Sequence, residues 1–350
     1  MLIRFEVSNF RSIREPVELS MVAVDRDREA ARDAPILGEN LLTRAGIYGP
    51  NASGKSNLLA AFQWFAWAVR TSLREWDEQI PLKPFLLLEG ETSEFIIEML
   101  VDGIRFEYSI ELDSNRVIYE SLFHYPKKRR RLIFEREGRA LKLQEGLGHL
   151  SGVRKLLADR VLMSIMRIFD VPLISRFFSM LAGIYFMNLS DLRDPAFLFS
   201  GRFSSFEYLM RNKDRACAFL RSADLGINGI ELVEDSDENV FLYGDFKLLH
   251  EIGGNSIPLD FNMESQGTMA WFNLMGPVLE SLENGSVLVI DELDAKLHPV
   301  LSAKLLGLFE SEEINKKNAQ LIFSSHDTSL LNHLNRDEVW LTEKDSEGVT

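Results

Sequence analysis

The amino-terminal residues Leu2-Ile3-Arg4-Phe5-Glu6-Val7 alternate apolar and polar side chains, and 17–24 resume the alternation after Pro16, which predicts two half-buried strands. Ala45-Gly46-Ile47-Tyr48 reads instead as a short buried strand ending at Gly49-Pro50. Residues 56–74 then carry apolar side chains at helical recurrence over a helical length. Between 94 and 143 the period returns to two, and Asp102-Gly103 and Asp113-Ser114-Asn115 supply the turns of an antiparallel meander. From 152 to 221 the pattern becomes helical, rich in Leu, Met, Phe and Arg, with breaks near Pro172, at 191–195 and at Gly201. Strand patterns reappear at 230–233 and 240–249, before a helix and strand series over 269–341.

This order predicts an α/β fold in four stretches. Residues 1–75 form the first part of a head, 76–150 an antiparallel β lobe of that head, 151–225 an inserted helical arm domain, and 226–350 the second part of the head. A chain of 350 residues suits such a division, because one core seldom grows past about 250 to 300 residues. The longest apolar stretches, such as 177–189, fall short of the roughly 20 residues needed to cross a bilayer, so no membrane partner is expected. The lone Cys217 can form neither an internal disulfide nor a cysteine metal cluster, which fits a reducing, cytoplasmic setting. With 39 basic against 53 acidic residues the net charge is −14, so any contact with nucleic acid must be local.

Gly49-Pro50-Asn51-Ala52-Ser53-Gly54-Lys55-Ser56 matches G-x-x-x-x-G-K-[ST] in full and sits between a predicted strand and a predicted helix. Glycines let backbone amides turn toward phosphate oxygens, and the helix terminus adds partial positive charge. Lys55 supplies a mobile cation, and Ser56 offers a hydroxyl to magnesium. The run Asn51, Ala52, Ser53, Gly54, Lys55, Ser56 and Asn57 is therefore the expected ATP cradle. Val287-Leu288-Val289-Ile290-Asp291-Glu292 reads as a buried parallel strand that delivers two carboxylates to its carboxyl edge. Asp291 is expected on the metal's water shell beside Ser56, and Glu292 on the water that attacks the γ-phosphate. Leu321-Ile322-Phe323-Ser324-Ser325-His326-Asp327 repeats the design and brings His326 to the same edge.

Glu264-Ser265-Gln266-Gly267-Thr268 lies at the start of a predicted helix, 26 residues before Asp291 counted from Ser265, and resembles an ABC-type signature. The order of P-loop, signature, acidic strand end, Asp294 and His326 is similar to the ATPase heads of the RecF, SMC and OLD group. Asn9-Phe10-Arg11-Ser12-Ile13 resembles that group's amino-terminal element. Within the group, the chain most resembles RecF-like AAA ATPases of bacterial phage-defence and abortive-infection loci, specifically over about 1–60 and 256–342. The resemblance implies a P-loop head that holds ATP and Mg²⁺, with Lys55, Glu292 and His326 catalytic and Arg11 near the nucleotide. It also implies a homodimer or higher oligomer in which Ser265 and Gly267 complete the site of a second copy.

The signature reads ESQGT where transporters have LSGGQ, so slow or partner-stimulated hydrolysis is expected. A Q-loop is not placed; Gln79, before Pro84-Phe85, is left outside the site. The six histidines show no paired metal-ligand spacing, so an effector nuclease or toxin is expected on a separate protein. Lys127-Lys128-Arg129-Arg130-Arg131 is the one basic run and leaves DNA contact open. The readings that stay open are a defence switch, a RecF-like DNA-repair ATPase, and a scaffold that keeps ATP as a structural ligand. The aromatic stretch Phe62, Trp64, Phe65 and Trp67 is read as core.

Overall fold

The structure, a computed structural model, describes residues 1–76, 79–147, 171–189, 205–223, 226–232 and 246–350. Strands β1 (Leu2–Ser8), β2 (Val17–Ser20), β3 (Ala31–Ala34), β4 (Glu39–Leu42) and β5 (Arg44–Tyr48) precede helix α1 (Lys55–Glu75). Strands β6 (Ser93–Val101), β7 (Ile104–Leu112), β8 (Val117–His124), β9 (Arg131–Glu137) and β10 (Ala140–Leu143) follow. Next come α2 (Pro172–Ala182), β11 (Tyr185–Asn188), α3 (Ser205–Arg211), α4 (Lys213–Ser222), β12 (Ile227–Leu232), β13 (Phe246–Ile252) and β14 (Asn255–Asp260). The last stretch holds α5 (Gln266–Asn284), β15 (Val287–Asp291), α6 (Pro299–Glu310), β16 (Gln320–Ser324) and β17 (Val339–Leu341).

The alternating segments assemble into one antiparallel sheet in the order β10-β9-β8-β7-β6-β1-β2. The predicted meander is thus continuous with the amino-terminal strands, because β1 pairs with β6 as well as β2. The continuous apolar runs behave differently. They form a parallel sheet in the order β11-β15-β16-β5-β17, with β5 and β16 buried along their whole length. Strands covered on both faces need apolar side chains at every position, which is why these runs lack alternation. The β3 and β4 hairpin has no counterpart in the predicted elements, since its Ala-Arg-Asp-Ala strand carries too few apolar residues to signal one.

Helix α1 lies between the two sheets. The Phe62 ring stacks on Phe5 of β1 at 4.6 Å and meets Phe186 of β11 edge-on at 5.4 Å. Phe65 stacks on Phe95 of β6 at 5.9 Å. Burying each such ring contributes about 1.5 to 3 kcal/mol, so the helix that follows the Gly-rich loop is anchored from both sides. Residues 172–188, assigned from sequence to the inserted arm, instead pack on the head. Phe177 stacks on Phe106 at 5.3 Å, Phe178 meets Tyr108 at 5.5 Å, and β11 forms the edge of the parallel sheet. A four-residue strand inside an apolar run cannot be separated from helix by periodicity alone. Residues 205–223 of the predicted arm form α3 and α4 and also pack on the head, with Phe219 stacked on Trp271 of α5 at 4.5 Å. The remainder at 151–170, 190–204 and 224–225, with the breaks at 191–195 and Gly201, lies outside the described residues, as do 233 and 240–245 of the predicted strands. Among the described residues no helix is long and apolar enough to cross a membrane.

Two buried polar groups tie the architecture together. The Gln320 amide nitrogen donates to Leu2 O at 3.0 Å and Leu42 O at 2.9 Å, while its oxygen accepts from Leu2 N. One side chain thereby joins the start of β16 to β1 and to the end of β4. Replacing it with alanine leaves buried backbone groups short of partners, and Gln320→Ala is expected to lower unfolding stability by about 2 kcal/mol. Urea unfolding measures this; a loss under about 0.5 kcal/mol would refute the clamp. The second group is Arg44, on the strand that feeds the loop. Its guanidinium pairs with buried Glu338 at 3.0 Å on one side and in bidentate fashion with Glu310 at 2.9 and 3.0 Å on the other.

Candidate functional site

Parallel register brings chemically equipped strand ends to one edge. Asn188 lies opposite Asp291, Ser324 opposite Ile47, and Leu341 opposite Tyr48. Ligands of open α/β sheets bind outside the carboxyl ends of the strands, and here that edge holds the loop from Gly49 to Gly54. Gly54 has φ +107°, a left-handed backbone open to glycine, and α1 starts at the next residue. A cleft of about 490 Å³ is lined by residues 51–57 together with Glu292, His326 and Lys344. The expected cradle and all three expected catalytic side chains, Lys55, Glu292 and His326, therefore share one cavity, of a size that suits a small-molecule ligand.

Lys55 is buried at its base, with the ammonium donating to Gly49 O at 2.8 Å and Pro50 O at 3.0 Å. Burial pushes its pKa down, while the charges of Asp291, Asp294 and Glu292 pull it up. Ser56 Oγ donates to Asp291 Oδ1 at 3.2 Å, so the expected metal-side pair does converge. Ser324 Oγ donates to the same carboxylate oxygen and accepts from the Glu292 amide at 2.8 Å. Glu292 itself has φ +55°, a strained conformation for a residue with a side chain, and the Ser324 bond helps to hold it there. Asp294 accepts from the His326 amide at 3.1 and 3.2 Å, so this loop also fixes the backbone of the histidine.

A small void of about 70 Å³ beside Ser56 and Asp291 is also lined by Gln63 and Asn188. A hydroxyl and a carboxylate at one point fit Mg²⁺, which takes few protein oxygens and completes its shell with water and phosphate. No group of three or more His, Cys, Asp or Glu suited to a metal ion occurs among the described residues, so such a cation would depend on those outside ligands.

Other expected residues do not line the cleft. Arg11 donates to Asn57 Oδ1 at 3.5 Å, and the Asn57 amide donates to Ser12 Oγ at 2.6 Å, which ties the amino-terminal element to the first turn of α1. Ser265 caps α5, its hydroxyl accepting from the Thr268 amide at 3.1 Å, and neither it nor Gly267 lines the cleft of its own chain. Gln79 is exposed and likewise outside the cleft. In the basic run, Arg130 pairs with Glu107 at 2.6 Å and covers the Phe123 ring at 3.4 Å, while Lys127, Lys128 and Arg129 are exposed. Sequence reasoning did not find Asn188, the bridging role of Ser324, or Lys344. Ser324 belongs to the run 321–327 that carries the histidine; Asn188 and Lys344 carry no local signal.

A parallel sheet in which the inner strand β5 runs into a Gly-rich loop and helix, with the acidic end of β15 and the histidine beyond β16 at the same edge, defines a P-loop NTPase of the AAA and ABC type. The antiparallel sheet flanks that core. Residues 44–332 match the family described as "AAA domain, putative AbiEii toxin, Type IV TA system", and the chain belongs to that family. The match places it among ATPases of the abortive-infection group, in a toxin–antitoxin context. No curated protein matches the chain.

Proposed function

We propose that this protein binds ATP with Mg²⁺ in the cleft of residues 51–57, hydrolyses it slowly, and acts as a homodimerising switch for a separate effector protein in anti-phage defence. The observation that carries the reading is the convergence of Lys55, Ser56, Asp291, Glu292 and His326 on one edge of the parallel sheet. Lys55 exchanges its loop carbonyls for β- and γ-phosphate oxygens. Ser56, Asp291 and Asn188 face the metal position, where a bound Mg²⁺ supplies charge stabilisation for the transferring phosphoryl group. Glu292 accepts a proton from the attacking water, and His326 lies against the γ-phosphate. Asn51, Ala52, Ser53, Gly54 and Asn57 contribute the phosphate-facing loop, with Arg11 at its edge.

Ser265 and Gly267 fit a role in trans, because a helix terminus with a hydroxyl stabilises added negative charge once a second copy brings it close. The exposed Lys127, Lys128 and Arg129 favour a second reading, in which the head works on a DNA backbone. The test of the first reading is direct. Equilibrium binding of Mg·ATP to the purified chain is expected to weaken at least tenfold in Lys55→Ala, with the folded state retained by circular dichroism in the absence of nucleotide. Wild-type protein that fails to bind ATP in Mg²⁺ would refute it.

A further inference from the structure

The geometry points to Lys344 as a second phosphate-binding cation of the cleft, presented by the segment that leaves β17; this rests on the nucleotide reading above. Strand β17 runs parallel to β5, so the two strands end side by side, and Leu341 faces Tyr48. The chain then stays locked to the loop. Thr342 N donates to Tyr48 O at 2.8 Å, and the Thr342 hydroxyl hydrogen-bonds with Ser53 Oγ at 2.6 Å. The approach is so close that a Cβ placed on Gly49 would stand 2.3 Å from Thr342 O, a separation atoms do not tolerate. Two residues later Lys344, exposed to solvent, lines the same cleft as residues 51–57, Glu292 and His326.

Charge in the cleft explains what such a side chain does. Asp291, Glu292 and Asp294 all act on Lys55, and that ammonium is already directed at two carbonyls of its own loop. Arg11 is turned toward Asn57. Among the described residues that line the cleft, Lys55 and Lys344 carry the ammonium groups. A triphosphate remains a net anion even with one divalent cation bound, so the field of three carboxylates needs more than Lys55 to admit it. Lys344 has the reach of a four-carbon stem and a backbone fixed two residues away, which suits it to close on phosphate oxygens.

The test compares Mg·ATP and Mg·tripolyphosphate binding to wild type, Lys344→Ala and Lys344→Arg of the full chain. Lys344→Ala is expected to weaken both ligands about fivefold to tenfold, at the low end for a charged contact because the site is open to solvent, with Lys344→Arg close to wild type. Equal ATP affinity in wild type and Lys344→Ala would overturn the assignment while leaving the nucleotide reading intact. A loss for ATP without a loss for tripolyphosphate would also overturn it, because the contact would then lie on the nucleoside. Wild type that binds neither ligand would remove the nucleotide reading itself, and this assignment with it. Thermal unfolding without ligand is expected to be the same in all three proteins, since Lys344 contributes no buried contact.

Discussion

Glu292→Gln is expected to lower single-turnover ATP hydrolysis by about 10² to 10⁴-fold while Mg·ATP still binds. The amide is nearly isosteric with the carboxylate, and the left-handed backbone at φ +55° is no less accessible to Gln than to Glu. The Glu292 amide still donates to Ser324 Oγ, and Ser56, Asp291 and Lys55 are untouched. Only the proton acceptor is lost. If the Glu292 loop also forms the dimer face, the variant accumulates ATP-bound dimers, visible by light scattering. Hydrolysis within twofold of wild type would exclude Glu292 as the base, and a rate fall with no change in association would exclude ATP-gated dimerisation.

Glu338→Ala is expected to lower unfolding stability by about 3 to 5 kcal/mol. Glu338 is wholly buried and accepts from Arg44 Nε at 3.0 Å, Arg28 Nη1 at 3.3 Å and the Asn335 amide at 2.6 Å. Truncation leaves Arg44, itself buried, with a desolvated charge partnered only by the half-exposed Glu310. Arg44 cannot regain water without opening the sheet beside β5, while Arg28 keeps its pair with Asp337. The double variant Arg44→Met/Glu338→Leu is expected to recover much of the loss, because apolar groups of similar volume carry no desolvation penalty. Chemical denaturation of the three proteins measures both effects. A single-variant loss below about 1 kcal/mol would show that water reaches the network.

How much of this was legible from the chain depends on how local each signal is. The loop at 49–56 spells its conformation in consecutive residues, and the glycines, lysine and serine stand where the backbone needs them. The acidic end of β15 and the histidine beyond β16 were legible for the same reason, as β-branched or apolar runs followed by polar groups. Asn188 was hidden because its strand is four residues long and its partner, Val287–Asp291, lies about a hundred residues away. Nothing near Tyr185 indicates that pairing. The β3 and β4 hairpin was missed on composition, and Lys344 because only the parallel pairing of β17 with β5 carries it to the cleft. Arg11 was found by resemblance, yet its contact to Asn57 is a property of the folded chain alone.

The order of strands in the parallel sheet also bears on biosynthesis. The strand that supports the Gly-rich loop is made early, but both of its neighbours, β16 and β17, come late, and the Gln320 clamp joins groups 278 residues apart. Until most of the polypeptide has emerged from the ribosome, β5 has neither lateral partner and presents two open edges of apolar backbone. Such edges recruit other chains, so the nascent protein depends on prompt completion or on chaperone cover during that interval. An mRNA cut short after the loop would therefore yield an aggregating fragment with no capacity to compete for nucleotide.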